Sequence, residues 1–194
     1  MAAHNYKYTL EFVLSKEIEG GYVNDPRDKG GETNLGITKK AYEAYLGRAV
    51  RPGEMKELTI VEAAPFYRKL YWNKLECDSL PVGIDLCIFD FGVNSGISRS
   101  AKFFQELIGA KPDGAIGPKT LNKFEEYITK QITAEEDIIA VLRKFVTLFC
   151  NKRRTFLKYA SLADFEHFGK GWLKRVNKVE TRANLMLDVK KPHV

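Results

Sequence analysis

A single glutamate, Glu19, closes an apolar segment and is followed at once by a glycine-rich polar run, EGGYVNDPRDKGGETNLGIT, residues 19–38. Leu10, Val13, Leu14 and Ile18 recur at helical spacing, which predicts a helix from about Tyr8 that Gly20 and Gly21 break, with Glu19 at its end. A carboxyl there faces the negative pole of the helix dipole, and apolar neighbours would add desolvation; both raise its pKa. An acid still protonated near neutral pH is what glycoside hydrolysis requires of its proton donor to the leaving oxygen, worth about 10²–10⁴ in rate. The other face of the sugar needs a carboxylate or a held water. Asp28 lies nine residues on in the polar turn, where a carboxylate stays ionised, and Thr33 follows five later with a hydroxyl able to hold a water. The glycines let backbone bend beside a bulky substrate.

Each of these residues also has a plainer reading. Glu19 alone suits a solvated helix end, Asp28 an Asx turn of the kind Asp25 favours before Pro26, and Thr33 a hairpin or cap. Glu32 is the rival second carboxylate, whereas Glu17, two residues from Glu19, points elsewhere on a helix. Tyr22, Tyr42 and Trp72 are able to stack on sugar rings, although cores claim most aromatic side chains. Asn94 and Ser95 end an apolar segment and either face the sugar or cap the chain reversal. Asp85 and Asp90 lie on that segment, where a charge needs a partner, and a structural role is favoured. The basic run Asn151–Thr155 reads as a solvated helix face or a polyanion contact.

The elements that must position these groups follow from caps and periodicity. Thr38 caps a helix through Tyr45 that Gly47 closes. Thr59 and Glu62 form a capping box before APFYRKLYW, in which Pro65 imposes an irregularity. Pro81 opens PVGIDLCIFDFGVNSG, apolar all round, the mark of a buried central helix. A helix from Ser98 runs to Gly109, and KPDGAIGPKTL then turns into a helix started by Pro118. Thr133 and Glu136 make a second capping box before the longest helix, Ala134 to about Tyr159. The last helix, about Lys170 to Leu187, carries Trp172, Val176, Val179 and Ala183 on one face. Turn signals flanked by Tyr, Val and Thr allow a small β-hairpin inside the glycine-rich run. The fold class is mainly α: a helical bundle with that hairpin near the candidate site and a helical C-terminal part.

With 194 residues, 44% of them hydrophobic, the chain is long enough for one core, or a core and a small lobe. Its apolar runs fall short of the roughly 18–20 residues of a membrane span, and the first residues show neither an apolar h-region nor a cleavage site. The expectation is a soluble protein that accumulates in the cytoplasm. The three cysteines, Cys77, Cys87 and Cys150, show no metal-ligand spacing, and His4, His167 and His193 are scattered, so no metal and no cofactor are expected. Residues 1–97 carry 12 Lys/Arg against 14 Asp/Glu, and residues 98–194 carry 19 against 11. The basic half attracts polyanions, among which charge alone selects none.

The run from Glu19 to Thr38 closely resembles the active-site signature of glycoside hydrolase family 108, small N-acetylmuramidases of phage and prophage endolysins. More distantly, Glu19, Asp28 and Thr33 in that order resemble the Glu, Asp, Thr triad of phage-type lysozymes. WNKL…DSLPVGIDLCIFDFGVNSG, from Trp72 to Gly96, resembles the family's second block. PDGAIGPKTL and GWLKRV resemble parts of its C-terminal peptidoglycan-binding module. The resemblance implies a lysozyme-like fold, with a catalytic domain over residues 1–110 and a helical peptidoglycan-binding module over 111–194. It implies Glu19 as the catalytic acid, Asp28 and Thr33 in support, and Tyr22, Trp72, Asn94 and Ser95 as substrate-binding residues. The implied partner is peptidoglycan, reached after release through a holin or an exporter, with no specific nucleic acid. Some relatives are labelled secretion activators. A lytic transglycosylase and a non-catalytic wall-binding or regulatory protein stay open, as do retaining and inverting chemistry, which depend on carboxyl separation.

Overall fold

Caps and turn residues set most element boundaries in the computed structural model, which describes residues 3–18, 21–24, 31–133, 136–160 and 162–188. The described chain is mainly α with one two-stranded antiparallel sheet, as expected, and divides into two compact units, Ala3–Leu70 and Tyr71–Val194. The catalytic and binding parts expected from the sequence meet at 110, whereas these compact units meet after Leu70.

In the N-terminal unit, α1 (Ala3–Val13) buries Leu10 and Val13 and packs against α4 (Ile60–Tyr67), where the Tyr6 hydroxyl donates to the Ala64 carbonyl. The helix stops at Val13 rather than at Gly20. The Leu14 N–H still bonds Leu10, but Ser15 turns back to Phe12 and Ile18 to Ser15. Ser15, Lys16 and Glu17 bring no apolar side chain to bury, so nothing rewards a further helical turn.

The predicted hairpin forms as β1 (Thr33–Asn34) and β2 (Ile37–Thr38), paired Thr33 to Thr38 and Asn34 to Ile37. Its two-residue loop places Leu35 at φ 50° and Gly36 at φ 72°, the positive pair of a type I′ turn. Leucine pays roughly 1–2 kcal/mol for that backbone. The Tyr67 hydroxyl holds the Leu35 carbonyl at 2.7 Å, and the buried Asn34 amide donates to Met55 O at 2.8 Å. Thr38 then caps α2 (Lys39–Leu46), which Gly47 ends in the left-handed region, and a short α3 (Glu54–Glu57) precedes the Thr59–Glu62 capping box of α4. Pro65 sits inside α4, and the segment continues as a π-helix over Arg68–Trp72.

In the C-terminal unit, α5 (Ile84–Ser95) is buried at every position from Ile84 to Gly92 and contacts α6 (Ile97–Leu107), α8 (Ile138–Ala160) and α9 (Leu162–Asp188). Between them, α7 (Pro118–Gln131) starts on Pro118 as expected. The turn before it is pinned by the buried Gln105, whose amide donates to Asp113 and Ala115 and whose carbonyl accepts from Gly114. Helix α8 begins four residues later than expected, because the Asp137 carboxylate accepts from Ala140 N–H at 2.8 Å and takes the cap. Helix α9 begins earlier, at Leu162, and its buried Gly169 lets the Phe165 ring lie against the backbone.

One buried carboxylate joins three of these helices. Asp90 on α5 meets Arg153 of α8 at 2.6 Å and Arg175 of α9 at 2.7 Å, with its side chain and that of Arg153 almost wholly enclosed. Burial pushes the Asp90 pKa up, but the two guanidiniums outweigh it and leave the net shift downward. Stability from this carboxylate is therefore present above the unfolded value, about 3.9, and lost as pH falls through the lower folded value. Asp90→Asn is expected to cost about 3–5 kcal/mol, since it leaves two buried cations uncompensated. Urea unfolding followed from pH 5 to 2 should show a shallower loss of stability in the variant than in the wild type. At Gly83, φ is 87° and an added Cβ would lie 2.7 Å from the Ala183 carbonyl oxygen, whereas at Gly96, φ 95°, it meets open space. Gly83→Ala should thus lose about 2–5 kcal/mol and Gly96→Ala only about 1–2 kcal/mol in the same assay.

Candidate active site

The hairpin holds the described part of the predicted catalytic run. Thr33 sits on β1, and its backbone exchanges two hydrogen bonds with Val23, at 2.8 and 2.9 Å. Its hydroxyl donates to the Gly31 carbonyl at 3.1 Å, which leaves the oxygen lone pairs as acceptors. Beside it, the Tyr22 hydroxyl donates to Glu32 Oε1 at 3.0 Å, and Lys39 approaches the other oxygen of Glu32 at 3.8 Å. Desolvation first, and then Glu32, raise the Tyr22 pKa, so the phenol keeps its proton. Tyr22, Glu32, Thr33 and Lys39 are thereby brought together. Glu19 and Asp28 lie outside the described residues.

The expected helix end at Glu19 is corrected by the early stop of α1. The helix ends at Val13, residues 14–18 follow it, and Glu19 itself lies outside the described residues.

Asn94 and Ser95 close α5 in the C-terminal unit, where Gly96 turns the chain at φ 95°. The Asn94 side-chain oxygen accepts from the Ser95 hydroxyl at 3.1 Å and from Arg153 at 3.4 Å, and Arg99 donates to the Ser95 carbonyl at 3.0 Å. Asn94 is exposed, and its amide donors have no partner among the described residues. Oxygen is thus held inward and N–H outward, which suits an acceptor such as an acetamido carbonyl.

Trp72 does not belong to such a surface. Its ring is 0% exposed, packs edge-on against Phe89 and gives its indole N–H to Asp78 at 2.8 Å, so it offers a sugar no face. Tyr42 is likewise a packed ring, set against Tyr45 and Phe66. The basic run Asn151–Thr155 is also not uniformly solvated, because Arg153 is buried on Asp90 and lies over the Phe91 ring. The signal for Arg153 was present: it falls four residues after Phe149 and four before Leu157, on the apolar stripe of α8.

No helix among the described residues is long and apolar enough to cross a membrane. Residues 10–96 match the family model described as glycosyl hydrolase 108. Among solved structures the chain is similar to SagA of Brucella abortus, with 36% identity over 98% of this chain and 100% of that one and a TM-score of 0.76. Among curated proteins none matches. The family match takes in the glycine-rich run and the whole of α5, and the likeness to SagA extends through α9: the chain belongs to the glycosyl hydrolase 108 family, glycoside hydrolases of peptidoglycan at the family level.

Proposed function

We propose that the protein is an N-acetylmuramidase that cleaves the β-1,4 bond between N-acetylmuramic acid and N-acetylglucosamine in peptidoglycan, with Glu19 as general acid. The observation that carries this reading is the family match over residues 10–96, which contains Glu19, Asp28 and Thr33 together. Glu19 gives its proton to the glycosidic oxygen as the bond to the anomeric carbon breaks, and water supplies the new hydroxyl. Asp28 steadies the positive charge that develops on the sugar ring, and Thr33, whose oxygen remains an acceptor, orients the water. Glu32 is a poorer choice for the second carboxylate, because both its oxygens already face donors, Tyr22 and Lys39.

Tyr22, Asn94 and Ser95 serve as substrate contacts on this reading. The C-terminal part, residues 111–194, holds the enzyme on the wall, consistent with the excess of Lys/Arg beyond residue 98. The protein acts as an endolysin or autolysin, reaching the wall after release through a holin or an exporter.

Mass spectrometry of fragments released from purified peptidoglycan tests the reading. The wild type should yield reducing N-acetylmuramic ends, and Glu19→Gln should lower their release by about 10²–10⁴. Anhydro-muramic ends would instead mark a lytic transglycosylase, and no fragments from the wild type a wall-binding protein. In the same assay Asp28→Asn should lose at least about tenfold, while Glu32→Gln stays within about twofold.

A further inference from the structure

Within the N-terminal unit a cavity of about 320 Å³ lies among α2, α3 and the first turn of α4. Three carboxylates line it, Glu54, Glu57 and Glu62, together with Tyr42, the apolar side chains of Pro52 and Leu58, and Arg51, whose exposed guanidinium lies 3.9 Å from Glu54. These carboxylates are not equivalent. Glu54 is fully committed: Arg48 takes both its oxygens at 2.9 and 2.6 Å, the Arg51 backbone N–H adds 2.7 Å, and these bonds hold its pKa down to about 2. Glu62 gives Oε2 to the Thr59 N–H and hydroxyl at 2.9 and 2.7 Å, and no bond to its Oε1 is made among the described residues. Glu57 is exposed and has neither an ion pair nor a hydrogen bond among the described residues.

Tyr42 supplies an independent observation. It is 6% exposed, its ring packs against Tyr45 and Phe66, and its hydroxyl makes no hydrogen bond among the described residues. Burial first, then the charges of Glu62 and Glu54, raise its pKa, so it remains a neutral phenol whose oxygen can accept. The ring is buried, but the hydroxyl reaches the cavity surface, where it stands as an open acceptor.

The cavity therefore presents three spare acceptors, the carboxylate of Glu57, Oε1 of Glu62 and the hydroxyl of Tyr42, beside two apolar side chains. The described residues form no cluster of three carboxylates close enough to hold a metal ion. A planar guanidinium prefers a single carboxylate gripped by both oxygens, whereas a primary ammonium has three divergent donors and no acceptor. We propose that this cavity binds a primary alkylammonium group, with the alkyl stem against Pro52 and Leu58. On the reading above, on which this identification of the source rests, the group is the free side-chain amine of a peptidoglycan stem peptide that has not been cross-linked. The enzyme would thereby favour uncross-linked stretches of wall.

Isothermal titration of the full chain tests this with three probes: an N-acetylated stem tripeptide ending in lysine, the same peptide acetylated at the lysine side chain, and pentane-1,5-diamine. The free-amine peptide should bind, and side-chain acetylation should weaken it at least about tenfold. Tyr42→Phe and Glu57→Gln should each weaken the free-amine peptide about tenfold. Tyr42→Phe should keep the wild-type melting temperature, because the lost hydroxyl holds no other group. Equal affinity for the two peptides, or affinity unchanged in both variants, overturns the site. A diamine that binds as tightly as the free-amine peptide overturns the wall as the source and leaves the ammonium site standing. Fragment release without discrimination between the peptides sinks this inference and spares the muramidase reading. Amine binding without fragment release from the wild type does the reverse, and removes the stem peptide with it.

Discussion

Asp90 is the charge around which the C-terminal unit is arranged. Taking a carboxylate and two guanidiniums out of water is expensive, and the mutual attraction repays it only when the geometry is close and the remaining donors find partners. Here Arg175 approaches one oxygen with two nitrogens, at 2.9 and 2.7 Å, and Arg153 takes the other at 2.6 Å. Two cations on one anion leave a positive excess, part of which lies over the Phe91 ring, 4.9 Å from its centroid. A hydrophobic trio of similar volume would pack as well but would not fix the register of α5, α8 and α9 so tightly, because apolar contacts tolerate sliding and a shared carboxylate does not.

That clamp also reaches the surface. Arg153 extends past Asp90 to the side-chain oxygen of Asn94, the exposed residue one turn further along α5. The orientation of the Asn94 amide is thus set from inside the unit, and its outward donors follow from a buried salt bridge. The hairpin shows the same logic with a different device. The unfavourable backbone of Leu35 persists because Tyr67 holds its carbonyl and Asn34 is bonded to the loop before α4. Thr33 and Glu32 are therefore carried on a braced turn rather than on a free loop, which is what a site needs from its support.

What the sequence disclosed was chiefly local. The caps at Thr38, Gly47 and Thr59 and the start at Pro118 are decided by groups within four residues of one another, so types and spacing suffice to read them. The end of α1 was not legible in this way, because Leu14 and Ile18 keep helical spacing while the polar trio between them withholds the burial that a helix needs. The Asp90 clamp was half legible. A buried aspartate on an apolar helix demanded a partner, but Arg175 is 85 residues away, and nothing in its own neighbourhood marks it as that partner. Trp72 failed as a sugar platform for the opposite reason: its type suits stacking on a sugar and burial in a core equally, and only packing on Phe89 decides between them.

Charge accounting in the N-terminal unit narrows where a catalytic proton can reside. Glu11 faces Lys7, Glu32 is held by Tyr22 and Lys39, Glu43 accepts from the Val50 N–H, and Glu54 and Glu62 are fastened to the loops they brace. A general acid needs a carboxyl whose pKa is raised toward the working pH. Five carboxyls among the described residues are moved the other way, Glu54 and Glu62 in this unit and Asp90, Asp113 and Glu126 in the other. The cause is common to all five: they accept hydrogen bonds or face cations, and both favour the charged form. Carboxylates recruited to hold a fold are unfit to release a proton near neutrality, so the acid has to come from a position that the scaffold does not use.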